Sequence, residues 1–210
     1  MKKSLYSLTL FDEVIERIDQ LAYENRTNRS QLINDILAEH VGLETPEQKI
    51  QSVLEELDDN FSDVLSVSQI VKNNSIQFGK SLKYKYRPKI VYCFEFRRDD
   101  GAPYAEFKIR SRTKSEALNS HFDRFFGQIN QIEKTRGRVS PDECASETGH
   151  KFVRRFKREG AVTRDEAALA DFLTRYLKMI DTAMNAYFSV EGEGDIEATI
   201  NTIYSDYFNN

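Results

Sequence analysis

The chain has 210 residues, 40% hydrophobic and 30% charged, a length and balance suited to one globular domain or two small ones. No apolar run approaches the ~18 residues of a membrane span, and the opening MKKSLYSLTL lacks the apolar core of a signal peptide, so no membrane partner and a cytoplasmic location are expected. The net charge of −4 hides blocks of opposite sign: −5 over residues 44–79, +7 over 80–114 and −7 over 165–210.

The first element predicted is a strand. Tyr6, Leu8 and Leu10 alternate with Leu5, Ser7 and Thr9, so the two sets lie on opposite faces. Helical spacing follows, with Val14, Ile18, Leu21 and Ala22 in one stripe. NRTN breaks that helix. Asn28 is an N-cap with Gln31 three residues on, and Leu32, Ile33, Ile36 and Leu37 form the next apolar stripe, ended by Gly42. Some 43 residues with one strand and two helices bury too little surface to fold alone. A second copy supplies what is missing. Two such strands paired antiparallel about a two-fold axis make a ribbon, with Tyr6, Leu8 and Leu10 sealing the helices below. Leu5, Ser7 and Thr9 then form an upper face that fits the DNA major groove.

These residues resemble the ribbon-helix-helix DNA-binding family of the methionine-repressor and Arc type. An alternating strand ends in Leu10, Asp12-Glu13 opens an acidic helix start, Leu21-Ala22 ends the helix, and Asn28-Arg29-Ser30-Gln31-Leu32-Ile33 opens the second. The resemblance covers residues 3–43. It implies base contacts from Leu5, Ser7 and Thr9, and phosphate contacts from Lys3, Asn28, Arg29 and Ser30 at a helix start. It implies a dimer core of Tyr6, Leu8, Leu10, Ile18, Leu32 and Ile36. Leu5 departs from the polar residue common at the first reading position and offers only apolar contact. Phe11 departs from the usual Asp or Pro. A dimerisation unit without DNA binding is the plainer reading, since residues 1–43 carry a net −2.

The best boundary lies at 42–46, where Thr45, Pro46 and Gln48 spell a helix start running to about Leu57. Residues 60–81 show no clean period and are expected as a short helix with loops. The stretch 82–113 then reads as a β-hairpin about Asp100-Gly101. Lys83, Lys85, Arg87 and Lys89 share one face of its first strand, opposite Tyr84, Tyr86, Ile90, Tyr92, Phe94 and Phe96, and Pro88 marks an edge or a break. This second basic surface could meet nucleic acid, but a solvated face of a half-buried sheet is the favoured reading. Thr113 and Glu116 cap a helix to about Arg136, a polar loop follows, and KFVRRFKRE is a short basic helix candidate. That last cluster could serve DNA or pair with the acidic C-terminal region. Thr163 and Glu166 cap a helix to about Phe188, and a last helix covers about 195–208.

Enzyme chemistry finds no support. There is no phosphate-binding glycine loop and no nucleophile motif. The three histidines, His40, His121 and His150, and the two cysteines, Cys93 and Cys144, show no metal-ligand spacing. No cofactor and no metal are expected.

The expected fold is mainly α with a small antiparallel β component: a ribbon-helix-helix dimer domain at 1–43, a linking helix and loops at 44–79, and an α+β domain at 80–210. That last domain would serve oligomerisation, sensing or contact with a further protein. The expected function is sequence-specific DNA-binding transcriptional regulation, repression being the favoured sense, by a dimer or higher oligomer on double-stranded DNA. A plasmid or mobile-element partition or relaxosome accessory protein, and an antitoxin, are the alternatives.

Overall fold

A computed structural model of the chain describes residues 4–61, 65–67, 74–85, 87–99, 102–136, 144–147, 151–157, 166–189 and 196–208. Helices dominate these residues, alongside one antiparallel sheet. The chain divides into two compact units, 1–52 and 53–210.

In the first unit residues 4–11 form neither helix nor strand. Helix α1 is Asp12–Glu24, and Asp12 and Glu13 place negative charge on its positive end. Its apolar stripe buries Ile18 and Ala22. The helix closes with a Schellman pair, Thr27 N–H to Ala22 C=O (2.9 Å) and Arg26 N–H to Tyr23 C=O (3.1 Å). Arg26 takes the left-handed position of that motif, with φ +52°. Helix α2 is Arg29–His40, and Asn28 caps it by accepting from Gln31 N–H at 2.9 Å. The Gln31 side chain also donates forward to Asp35. A second Schellman pair ends α2, with Gly42 at φ +70° and Leu43 N–H on Ala38 C=O at 2.8 Å. Thr45 and Gln48 form the full reciprocal capping box of α3, Pro46–Phe61. That helix runs one turn beyond the expected Leu57, because Phe61 extends its buried stripe of Val53, Leu54 and Leu57.

The second unit begins within α3. Its sheet contains β1 (Ser66–Val67), β2 (Ser75–Ser81), β3 (Lys89–Asp99), β4 (Ala102–Ser111), β5 (Cys144–Glu147) and β6 (Lys151–Lys157), ordered β1-β2-β3-β4-β6-β5 with every pair antiparallel. The expected hairpin is β3–β4. Its register pairs Asp99 with Ala102, and the expected turn residues Asp100 and Gly101 lie outside the described residues. Helices α4 (Glu116–Thr135), α5 (Glu166–Ser189) and α6 (Ile196–Phe208) complete the unit. Aromatic pairs dock three helices on one sheet face: Phe61 on Phe78 (5.1 Å between ring centroids), Phe126 on Phe152 (4.8 Å) and Tyr176 on Phe107 (5.5 Å). Leu173, Leu177, Ile180 and Met184 of α5 are fully buried, the three-and-four spacing of a helix laid on a core. Arg136 ties α4 to α6, donating to Ser205 Oγ at 2.6 Å and lying over the Tyr204 ring.

Several expectations are corrected. Residues 75–81 are a strand, not helix and loop: Ile76 and Phe78 alternate with Gln77 and Gly79, a two-residue period too short to stand out. Residues 151–157 are a strand, not a helix, because β4 offers an edge and Phe152, Arg154 and Phe156 all face the core. Strand β5 falls in what was expected as polar loop. The cap of α4 is Ser115, which accepts from Leu118 N–H (3.3 Å), while Thr113 accepts from Ser115 N–H (3.1 Å). Strand β2 ends at Ser81 and β3 begins at Lys89, so Lys83, Lys85 and Arg87 lie between the strands and do not share a strand face with Lys89. Pro88 has no N–H to give a ladder, and Arg87 before it is left-handed at φ +44°. Lys3, Tyr86, Thr163 and His150 lie outside the described residues, as do the side chains of Cys144 and Lys151.

Candidate nucleic-acid interface

In the single chain the residues expected to read bases are open to solvent. Leu5 is 98% exposed, and Ser7 and Thr9 are exposed too. So is the opposite face, with Tyr6 at 82% and Leu8 at 65%, while Leu10 is partly covered. Of the other residues expected in a dimer core, Ile18 is buried, Leu32 is half-buried and Ile36 is exposed.

The start of α2 is built as an anion site would be. Asn28 satisfies the N–H of Gln31. The N–H groups of Arg29 and Ser30 precede any carbonyl four residues back within the helix, so the helix itself gives them no partner. Arg29, however, is engaged by a residue that spacing alone does not suggest. Its guanidinium forks onto Asp19 of α1, Nε to Oδ1 at 2.7 Å and Nη2 to Oδ2 at 2.5 Å. The hydrogen bond from Arg29 holds the Asp19 carboxyl below its ordinary value, and that carboxylate raises Arg29. A phosphate at this helix start would compete with Asp19 for the guanidinium.

In the second unit the cations divide into two sets. One set is neutralised inside the fold. Lys80 meets both Asp181 oxygens (2.6 and 2.8 Å), and Tyr92 donates to the same carboxylate at 2.6 Å. The basic stretch 80–114 and the acidic stretch 165–210 thus meet within one chain here. On the sheet face away from the helices, Lys108 lies 2.6 Å from both Glu95 and Glu106, which also receive Arg97, and Arg155 reaches Glu106 at 3.0 Å. Burial raises the two glutamates, but these cationic hydrogen bonds outweigh it and hold both below the ordinary carboxylate range. Arg154 of the basic cluster 151–157 pairs with Glu133 under the sheet, and the side chains of Lys151 and Lys157 lie outside the described residues.

The other set is exposed. Lys83, Lys85, Arg87 and Lys89 all stand in solvent around the β2–β3 turn. Register places Arg110 and Arg112 at the same end of the sheet, since Ser81 pairs with Lys89 and Ile90 pairs with Ser111. That grouping was not legible in the sequence, because it depends on which strand neighbours which.

Among the described residues no three His, Cys, Asp or Glu side chains converge as a metal site would require, and no helix is long and apolar enough to cross a membrane. Cys93 is a buried free thiol, pushed up by burial. The chain matches no protein-family model, no curated protein and no solved structure.

Proposed function

We propose that this chain is a sequence-specific DNA-binding regulator of transcription that acts as a dimer or higher oligomer through a ribbon-helix-helix domain in its first unit. One observation carries the reading. Among the described residues, the exposed large hydrophobic side chains all lie between Leu5 and Leu43. They include Tyr6, Leu8, Leu10, Val14, Ile36 and Leu37, the residues that alternation and helical spacing assign to one underside. A monomer rarely leaves such a set uncovered. A second copy of the same segment covers it and also pairs the backbone of residues 4–10. Each of these side chains contributes about 1.5–3 kcal/mol when fully buried. The ribbon so formed presents Leu5, Ser7 and Thr9 to the major groove, and the start of α2 presents its N–H groups to a phosphate.

Selection from a random pool of duplexes by the full chain, followed by sequencing, tests the function. A two-fold repeated site should emerge, and Thr9→Ala should lose preference for it with less change on random duplex. Leu8→Asp should abolish the dimer in sedimentation, because it buries an unpaired charge beneath the ribbon. A monomeric full chain, or a pool without enrichment, would overturn the reading.

A further inference from the structure

We propose that the end of the sheet around the β2–β3 turn is a second DNA-binding surface, specific for the phosphate backbone of duplex DNA and not for sequence. Lys83, Lys85, Arg87 and Lys89 project from seven consecutive residues and are all exposed. Arg110 and Arg112 at the end of β4, and Lys114 just beyond it, are exposed at the same end of the sheet by register. Tyr84 in the turn packs against His121 of α4 (5.9 Å between centroids) and Phe188 of α5 (5.5 Å), which fixes the turn beside the α4 face that carries exposed Arg124. The acids on that part of α4 are Glu116 and Asp123, so positive charge dominates.

Three features mark this surface as functional rather than simply solvated. First, none of these cations has an ion-pair partner among the described residues, whereas Lys80, Lys108, Arg154 and Arg155 elsewhere in the unit are each matched to an acid. Second, the turn is held tightly. Leu82 N–H donates to Pro88 C=O and Arg87 N–H to Tyr84 C=O, each at 2.9 Å. Third, Arg87 keeps a left-handed backbone immediately before a proline, a combination disfavoured for an L residue, with its side chain in solvent.

The chemistry selects the ligand. Clustered, unmatched cations attract a polyanion. Tyr84 has its ring engaged by His121 and Phe188, so it is not a platform for unpaired bases, which argues for a duplex over a single strand. The unit shows no exposed large hydrophobic side chain among the described residues, so nothing there would anchor in an anionic membrane.

The test uses the full chain and its Lys83→Gln/Lys85→Gln/Arg87→Gln variant on a random-sequence duplex of about 30 base pairs, a length several helical turns long, over a range of salt. If all three reach phosphates, the slope of log affinity against log salt should fall by up to about 2.7 per chain. Arg112→Gln/Lys114→Gln, on a different segment, should lower it in the same sense and guards against collapse of the turn. Arg155→Gln, a cation matched to Glu106, should leave it unchanged. Placed in a Leu8→Asp background, the triple variant should still weaken duplex binding, which separates this surface from the ribbon. An unchanged slope in both multiple variants would overturn the proposal. So would an equal effect of Arg155→Gln, tighter binding to single strands than to duplex, or an effect confined to phosphatidylserine vesicles.

Discussion

Arg154 on β6 and Glu133 on α4 form an ion pair beneath the sheet, Nε to Oε2 at 3.1 Å, with at most 5% of either side chain exposed. Arg154 also donates to the Arg155 carbonyl (3.1 Å) and lies over the Phe156 ring at 5.1 Å. Burial, and then the nearby Glu133 charge, hold the Tyr176 hydroxyl well above its ordinary pKa. Removing one member deprives the other's buried charge of this ion pair. Glu133→Ala or Arg154→Ala is expected to cost about 3–5 kcal/mol in urea unfolding, while Glu133→Leu/Arg154→Met together cost much less than the sum. Additive losses would show that the two charges do not answer one another.

The charged sheet face sets a limit on acid stability. Glu95 and Glu106 are held below the ordinary carboxylate value by Lys108, Arg97 and Arg155, against the opposing effect of burial. A carboxyl depressed in the folded state contributes stability above its unfolded pKa and loses it as pH falls through the folded one. Lys108 is raised by the same partners, so its contribution is intact below the ordinary lysine value and fades only as pH rises through its folded pKa. Acid unfolding of the second unit should therefore begin below about pH 4.3, the unperturbed glutamate value. Lys108→Met should move that midpoint to higher pH, as read by near-UV circular dichroism, and an unmoved midpoint would mean the network does not govern acid unfolding.

Local chemistry was legible where short-range rules decide. The caps at Asn28 and Thr45 depend on residues close in sequence and stand as read, and so does the pairing of β3 with β4, although β3 begins at Lys89 rather than near residue 82. The misreadings share a cause. In β6 the repeat Phe152-Val153-Arg154-Arg155-Phe156 resembles a basic helix, because a buried arginine breaks the apolar alternation. Only Glu133, 21 positions earlier, makes that arginine an inward residue. The same holds for Asp19 on Arg29, and for Arg110 and Arg112 beside the β2–β3 turn: the partner lies on another element, which spacing cannot reveal. Residues 4–10 carry strand alternation yet form no strand in the single chain.

Asp19 and Arg29 give a test of phosphate anchoring. The guanidinium is forked onto the carboxylate in the absence of DNA, and both groups are about half exposed. Arg29→Ala should weaken binding to every duplex and flatten the salt slope by up to about 0.9 per chain. Asp19→Asn removes the competing charge and should strengthen binding to target and random duplex alike, with little change in preference between them. Weaker binding in Asp19→Asn would mean that the carboxylate orients the guanidinium toward the phosphate rather than competing with it.

Two arginines share an unusual backbone, and replacing each by glycine separates folding from function. Arg26 closes α1 at φ +52°, and Arg87 sits in the basic turn at φ +44°. A left-handed L residue costs about 1–2 kcal/mol, of which glycine recovers the strain but gives back about 0.5–1 kcal/mol in chain entropy. Both Arg26→Gly and Arg87→Gly should thus leave stability unchanged or raise it by up to about 1 kcal/mol in denaturant unfolding. Their effects on DNA should differ. Arg87→Gly removes one cation from the exposed sheet end and should lower the salt slope on random duplex by up to about 0.9 per chain. Arg26 caps a helix end and is assigned no DNA contact, so Arg26→Gly should leave that slope unchanged. If Arg87→Gly destabilises the second unit by the ~1 kcal/mol expected of glycine in regular structure, then residue 87 is not strained in solution. If it is stabilised but binds duplex with an unaltered slope, the strained arginine is not kept for phosphate contact.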